Sequence, residues 1–521
     1  MDEGFGPLVR KGDYIYGSFV KPASIDGYIN GVNPGHRDDV LGRFPFSESS
    51  VDDAVEHARL AAKTWTRTGI NDRAHAVRRF RDTLARYRQR IANLITRETG
   101  KALWESRREV HEALEAIDLL LDDGLGLLAP QVLDENLRTD LIPRGVVAAV
   151  CPYNLPVSTT AVQVCAGVLA GNAVVYKPSK FTPAVGQMLA ELWDRCRLPR
   201  GVVNLVQGSG SVVGKRLSTH PDIDALLVTG SFNTAMAVRR AVFDRPELPV
   251  RYQAGGKGLA VVMSDAELDH AVYAVLYGAL LTAGQRHTST GRVIVVGRIW
   301  DAFVDRLLEH ANRVKVGYGF DADIFMGPLI SEKFRSRFRK YGRALAKRGH
   351  TALLPGTSRS HAPRRGFYVT PAIYEVDWRG PHPFLNEEPP GPTILLYRVD
   401  DVDEAAALHN QAMYRLVCSV FGDPSTDDFA RLSARLRTGR LRVNRPTTDQ
   451  SPRLSSVGLG RSSDGQASGL NLLRAVCYPR ATLSGPTDMR GEHAPGMPDP
   501  DEDTFSMRLE ITDEISLGST S

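Results

Sequence analysis

Thr282-Ala283-Gly284-Gln285-Arg286-His287-Thr288-Ser289-Thr290-Gly291-Arg292 is the stretch on which the reading of this chain turns. It is entered from an apolar run, residues 274–281, and left through Val293-Ile294-Val295-Val296. A polar, glycine-containing loop held between an apolar segment and a β-branched strand is a common carrier for one reactive side chain. His287 stands at the centre of that loop.

Outward from the loop, the chain alternates between short apolar runs and longer segments of helical period. Strands are expected at residues 146–150, 173–176, 202–206 and 225–228. Helices are expected between and after them at 159–169, 183–195, 212–218 and 234–243. That alternation predicts a doubly wound parallel sheet, with ligands beyond the C-terminal ends of its strands. A second alternating region, about 255–444, has expected strands at 293–296, 394–397 and 417–420 and helices at 300–314, 332–348 and 402–410. Before both regions, residues up to about 127 read as a strand pair followed by helices. These are 51–68 behind a Ser49-Ser50 cap, 71–99 closed by Gly100, and 102–122.

The 521 residues are enough for two or three domains. A 42% apolar and 24% charged composition with a net charge of +5 is that of a soluble globular chain. Arg and Lys are scattered, so no nucleic-acid partner is expected. No apolar run approaches the roughly 20 residues that cross a bilayer, so no membrane segment is expected. The five cysteines, Cys151, Cys165, Cys196, Cys418 and Cys477, form no CxxC pair. Neither a metal site nor a disulfide framework is indicated, and a cytoplasmic location is expected. Residues 486–521 change character, with Pro, Gly and the acids Asp499, Asp501, Glu502 and Asp503. A solvated tail is the favoured expectation. The alternation Phe505, Met507, Leu509, Ile511 leaves open a strand added to a protein partner.

Several motifs then fall in one order: Pro152-Tyr153-Asn154-Leu155-Pro156, Lys177-Pro178-Ser179, Thr229-Gly230-Ser231, Gly255-Gly256-Lys257, the Gln285 loop, and Glu387-Glu388 before Gly391-Pro392. Together they resemble the aldehyde dehydrogenase superfamily from about Asp13 to Leu483. Arg97-Glu98-Thr99-Gly100-Lys101 with Trp104-Glu105, and Cys477-Tyr478-Pro479, look most like its N-succinylglutamate 5-semialdehyde dehydrogenases, which act in arginine degradation. The resemblance implies two doubly wound α/β domains and a small β oligomerisation arm. It places a dinucleotide-binding domain at 1–128 with 145–254, a catalytic-type domain at 255–468, and the arm at 129–144 with 469–485. It also implies a homodimer or a dimer of dimers.

In the family a cysteine thiolate attacks the aldehyde, an amide holds the oxyanion, hydride leaves to a nicotinamide, and a glutamate activates water to release the acid. The resemblance assigns the oxyanion amide to Asn154. It puts Gln253 where the glutamate stands and His287 where the cysteine stands. A carboxamide cannot take a proton at neutral pH, and an imidazole cannot form the family's thioester. Further departures are Pro390 at an aromatic position, Ala235 at a glycine position, and Arg453-Leu454-Ser455-Ser456 in place of a glycine-rich segment. Neither Ser289 nor Cys151 offers a substitute nucleophile: the first lacks an evident base, and the second reads as a buried strand-end residue.

The cofactor positions are better kept. The resemblance implies Lys177 on the adenosine ribose and Gly210 and Gly214 where the backbone nears the cofactor. Thr229, Gly230 and Ser231 lead into a helix N-terminus for the pyrophosphate. Glu388 matches the carboxylate for the nicotinamide ribose. Lys180 replaces the family's acid after Lys-Pro-Ser, which removes repulsion against a 2′-phosphate; NAD or NADP is therefore expected. Lys180 as a plain surface charge stands equally beside that. The functional expectation is a pseudoenzyme that binds NAD(P) or acts as a structural or regulatory partner. Beside it stand an active NAD(P)-dependent oxidoreductase with altered chemistry, and ester hydrolysis centred on His287.

Overall fold

The computed structural model describes residues 9–358, 364–379, 383–454, 457–465 and 469–485. The expected acidic tail, 486–521, and Ser455-Ser456 lie outside the described residues.

The first sheet orders its strands Val250–Ala254, Ala225–Gly230, Val146–Val150, Ala173–Lys177, Val203–Leu205, Asp13–Ile15, Ser18–Val20. The first five run parallel. Successive strands from Val146–Val150 move one way, and Ala225–Gly230 then returns to its other side. That reversal is the switch point at which doubly wound sheets take ligands. Val146, Val147, Ala148 and Ala149 are buried, as a continuous apolar run in a sheet covered on both faces must be. Each of the two valines withdrawn from water contributes about 1.5–3 kcal/mol.

The second sheet runs Thr351–Leu354, Ala372–Glu375, Thr393–Val399, Thr290–Val296, Gly258–Val262, Cys418–Phe421, Leu441–Val443. It is parallel except at Thr351–Leu354. Each sheet has its own cluster of buried apolar residues. Both belong to one compact unit, residues 1–129 with 141–479. A second unit holds, of the described residues, 130–140 and 480–485. There Gln131–Val132 pairs with the strand Leu137–Pro143 in antiparallel register, and Asp134 Oδ1 caps the turn by accepting from Asn136 N at 2.8 Å. Val132 and Leu133 are exposed.

Three local expectations are corrected. The N-terminal region has two strand pairs, Asp13–Ile15 with Ser18–Val20 and Gly27–Val32 with Val40–Phe46. The expected Ser49-Ser50 cap is the first turn of helix Ser49–Trp65 instead; Ser47 Oγ accepts from Ser49 N at 3.3 Å. The single helix expected over 71–99 is two, Ile70–Arg86 and Arg88–Thr99, because Tyr87 leaves helical dihedrals at φ −97°, ψ 11°. Gly100 does close the second one, at φ 79°, a left-handed conformation that glycine adopts without a Cβ penalty.

Candidate active site

The first sheet offers its strand C-termini to the site and the second sheet its strand N-termini. Lys177, Thr229, Gly230 and Gln253 end strands of the first sheet. Gly255-Gly256-Lys257, His287, Glu388 and Arg440 precede strands of the second. Asn154, Gln253 and His287, far apart in sequence, line one cavity of about 190 Å³. The side walls include Glu112 and Glu115 from helix Leu103–Leu128, and Arg440, Arg442, Gln450 and Ser451 from the far end of the chain.

The His287 loop is held from behind. Helix Leu268–Leu280 stops, and Thr282 and Ala283 both take φ 52°. That left-handed conformation is unfavourable for residues with a Cβ. Glu105 holds it in place: it accepts from Thr282 N at 3.0 Å, from Thr282 Oγ1, and from Arg286 Nη2 at 2.8 Å. The Arg286 guanidinium and its hydrogen bonds keep the buried Glu105 carboxyl below the usual carboxylate range, against the pull of desolvation. Next to it Gly284 sits at φ 68°, where a Cβ would meet Gly391 O at 2.2 Å.

From this frame Asn154 Nδ2 donates to Gln285 O at 2.8 Å, and Gln285 Nε2 donates to Thr282 O at 2.9 Å. Ile330 N donates to Gln285 Oε1 at 3.1 Å. His287 is half-buried. Desolvation lowers its pKa below the usual histidine value, and the Glu388 charge opposes that shift. The imidazole is therefore neutral at neutral pH. Gln253 stands beside Thr229 in the sheet register and forms a bridge to Ser463.

Neither alternative nucleophile is poised. Ser289 is buried, and its Oγ accepts from Arg286 N at 3.3 Å. Cys151 Sγ lies 3.6 Å from Ala149 O and 3.7 Å from Gln163 Oε1, and burial pushes its thiol up to about 11. Such a thiol stays protonated and unreactive.

Lys177, Thr229, Gly230 and Ser231 lie at or just past the C-terminal ends of the first sheet's strands. The buried Lys177 ammonium donates to Pro178 O at 2.7 Å and Gly208 O at 3.1 Å, and desolvation brings its pKa down to about 8. A Cβ on Gly214 would lie 3.4 Å from Lys177 Cε, whereas Gly210 faces open space. The helical turn here starts at Gly210, two residues before the expected 212. Ser231 Oγ caps helix Phe232–Ala241 by accepting from Thr234 N at 3.2 Å. Lys180 is exposed, with its ammonium 5.3 Å from the Phe181 ring. Glu388 Oε1 accepts from Gly256 N at 2.6 Å. A buried ammonium bonded to carbonyl oxygens, an open glycine turn and a capped helix start together suit a dinucleotide.

Sequence reasoning missed Arg440 and Arg442 as lining residues, and took Glu105 only as part of a motif. The available signal was Gly439-Arg440-Leu441-Arg442-Val443, in which charges alternate with apolar residues inside a strand. Among the described residues no cluster of His, Cys, Asp and Glu suits a metal ion, and no helix is long and apolar enough to cross a membrane.

Comparison with known proteins places this geometry. Residues 19–482 match the aldehyde dehydrogenase family. The chain is 32% identical over 471 residues to an N-succinylglutamate 5-semialdehyde dehydrogenase of Paraburkholderia xenovorans, covering 89% of this chain and 95% of that one. The structure is similar to lactaldehyde dehydrogenase from Escherichia coli, with a TM-score of 0.85 and 27% identity over 91% of this chain and 99% of the other. It is also similar to a mutant of aldehyde dehydrogenase C from Pseudomonas syringae in complex with NAD+ and octanal, with a TM-score of 0.86 and 28% identity over 92% and 97% of the two chains. The chain belongs to the aldehyde dehydrogenase family.

Proposed function

We propose that this protein keeps the family's dinucleotide site but does not oxidise aldehydes through a thioester, and that it works as a ligand-binding or regulatory relative of the succinylglutamate-semialdehyde dehydrogenases. One observation carries the reading: the cavity that also holds Asn154 is lined by His287 and Gln253, at the positions where the family resemblance puts a thiolate and a carboxylate. A neutral imidazole and a carboxamide supply neither the sulfur anion nor the proton acceptor that the reaction uses. Ser289 and Cys151 are tied into buried hydrogen bonds and do not fill the gap.

The dinucleotide would be held by Lys177, by the backbone at Gly210 and Gly214, by the helix start at Ser231 and by Glu388. When bound, it supplies a hydride acceptor. The residues around it orient the ribose and pyrophosphate and keep Asn154 facing the reacting end. Lys180, exposed close behind Lys177, supports NADP binding at least as well as NAD. The exposed Val132 and Leu133 support assembly through the arm as a dimer or dimer of dimers. The five buried free cysteines support a reducing compartment such as the cytoplasm.

The test is paired. The purified chain is titrated with NAD+ and NADP+, then incubated with either cofactor and succinylglutamate semialdehyde while reduced nicotinamide is followed by absorbance. Saturable binding without turnover supports the reading. Sustained turnover, or an acyl adduct trapped on the polypeptide, overturns it.

A further inference from the structure

Helix Glu332–Lys347 carries charge of almost one sign. Residues 333–348 hold eight Lys and Arg and no Asp or Glu. Phe338, Tyr341 and Leu345 bury the helix's apolar stripe in the second core. Lys333, Lys340 and Lys347, spaced by heptads, fall on one exposed line along the solvent side, with exposed Arg343 beside it. At 1.5 Å per residue that line is about 21 Å long. Glu332 takes Arg335 at 2.5 Å and Arg339 at 3.1 Å. Among the described residues Lys333, Lys340, Arg343 and Lys347 form no ion pair.

A solvated helix face normally mixes signs, as helix Trp300–Asn312 does with Asp301, Asp305 and Glu309 beside Arg306. Here Lys340 and Arg343 are three residues apart and Arg343 and Lys347 four apart, the spacings at which like charges meet on a helix surface and repel. Lys333 stands in the first turn, where the helix dipole disfavours a cation. The arrangement works against the helix that carries it, and a polyanion laid along the line removes that repulsion.

We propose that this line of cations binds the phosphodiester backbone of a nucleic acid without reading its sequence. The scatter of Arg and Lys that argues against such a partner describes the chain as a whole and not this helix. No large apolar residue of the helix is exposed. The face therefore lacks the buried anchor of a stable protein interface, and the inserted group that firm membrane binding adds to charge. Its apolar stripe is committed to the core, so it is not an amphipathic helix awaiting a groove. Phosphate contacts need neither anchor nor stripe: cations along a line neutralise phosphates and release their counterions. None of the four residues lines the cavity that holds His287, so the proposal is independent of the dinucleotide reading.

The test uses the full chain and fluorescence anisotropy with labelled DNA duplexes about two turns long, in two unrelated sequences. Both are expected to bind at low salt, within about three-fold of one another, and to weaken steeply as salt rises. A triple variant, Lys333→Gln with Lys340→Gln and Lys347→Gln, is expected to lose at least about ten-fold in affinity and to lower the log–log salt slope by about 2–3. Its unfolding midpoint is expected to hold, since all three side chains are exposed. The matched control, Lys21→Gln with Lys63→Gln and Arg67→Gln, removes the same charge from residues exposed elsewhere and is expected to change affinity by less than about three-fold. Equal loss in the two triple variants means attraction by net charge alone and overturns the proposal. So do absent duplex binding, unchanged affinity in the first variant, and a preference of more than about ten-fold between the sequences. Polyglutamate binding as tightly as the duplex, or capture by phosphatidylserine vesicles in its place, overturns it in favour of an acidic protein or a membrane.

Discussion

Glu105 and Arg286 form an ion pair at 2.8 Å with both side chains 2% exposed. It joins helix Leu103–Leu128 to the backbone of the His287 loop, since the same carboxylate takes Thr282 N. Glu105→Gln leaves the arginine charge buried without its counter-charge. We expect a loss of about 3–5 kcal/mol in unfolding free energy, measured by urea denaturation. Because the folded-state pKa of Glu105 lies below its unfolded value, its contribution is present at neutral pH and is lost as pH falls through the folded pKa. The gap between wild type and Glu105→Gln should therefore narrow in acid.

Substitution at the two positions where the family resemblance puts a thiolate and a carboxylate separates their roles. His287→Cys alone should give one covalent acylation per chain with an aldehyde and NAD+, then stall. Adding Gln253→Glu should restore deacylation and raise the steady rate by about 10²–10⁴ over the single variant, the usual range for a general base. Mass spectrometry of the intact chain and nicotinamide absorbance read the two steps.

Lys180→Glu places a carboxylate close to the ribose end of the dinucleotide site. NADP+ affinity should fall by at least about ten-fold from repulsion of a 2′-phosphate, while NAD+ affinity holds or improves. Fluorescence titration with both cofactors checks it. Equal changes for the two would show Lys180 to be a surface charge alone.

Asp13 predicts an opposite pH dependence to Glu105. It is buried and accepts from Gln207 N at 2.7 Å. Desolvation raises its pKa to about 7. A folded-state pKa above the unfolded one gives stability that is present in acid and lost as pH rises toward 7. The slope from this one group is about 1.4 kcal/mol per pH unit between the two pKa values. Asp13→Asn should flatten that slope, seen in urea midpoints at pH 5 and pH 7.

Four of the five parallel strands of the first sheet were readable because each is a mainly apolar run bounded by helices of clear period; Val250–Ala254, interrupted by Arg251 and Gln253, was not. The same signal failed for Gly258–Val262 and Ala372–Glu375, short runs that follow a glycine turn and a proline and are hard to separate from loop by periodicity alone. Leu441–Val443 was missed for a different reason: its exposed side is the apolar one, and pattern reading assumes the reverse. Asn154, Gln253 and His287 were legible in the sequence because family motifs mark them. Arg440 and Arg442 line the same cavity and carry no such mark. Tyr87 gave no warning of the helix break, since it is neither glycine nor proline.

Because strand tips from two separate cores meet around a single hollow, the reacting groups hang off the ends of the load-free segments and not inside either sheet. A mutation there changes what the hollow does to a guest without loosening either core. Two substitutions at the rim of the hollow can therefore alter its chemistry while the sheets that carry it stay as they are.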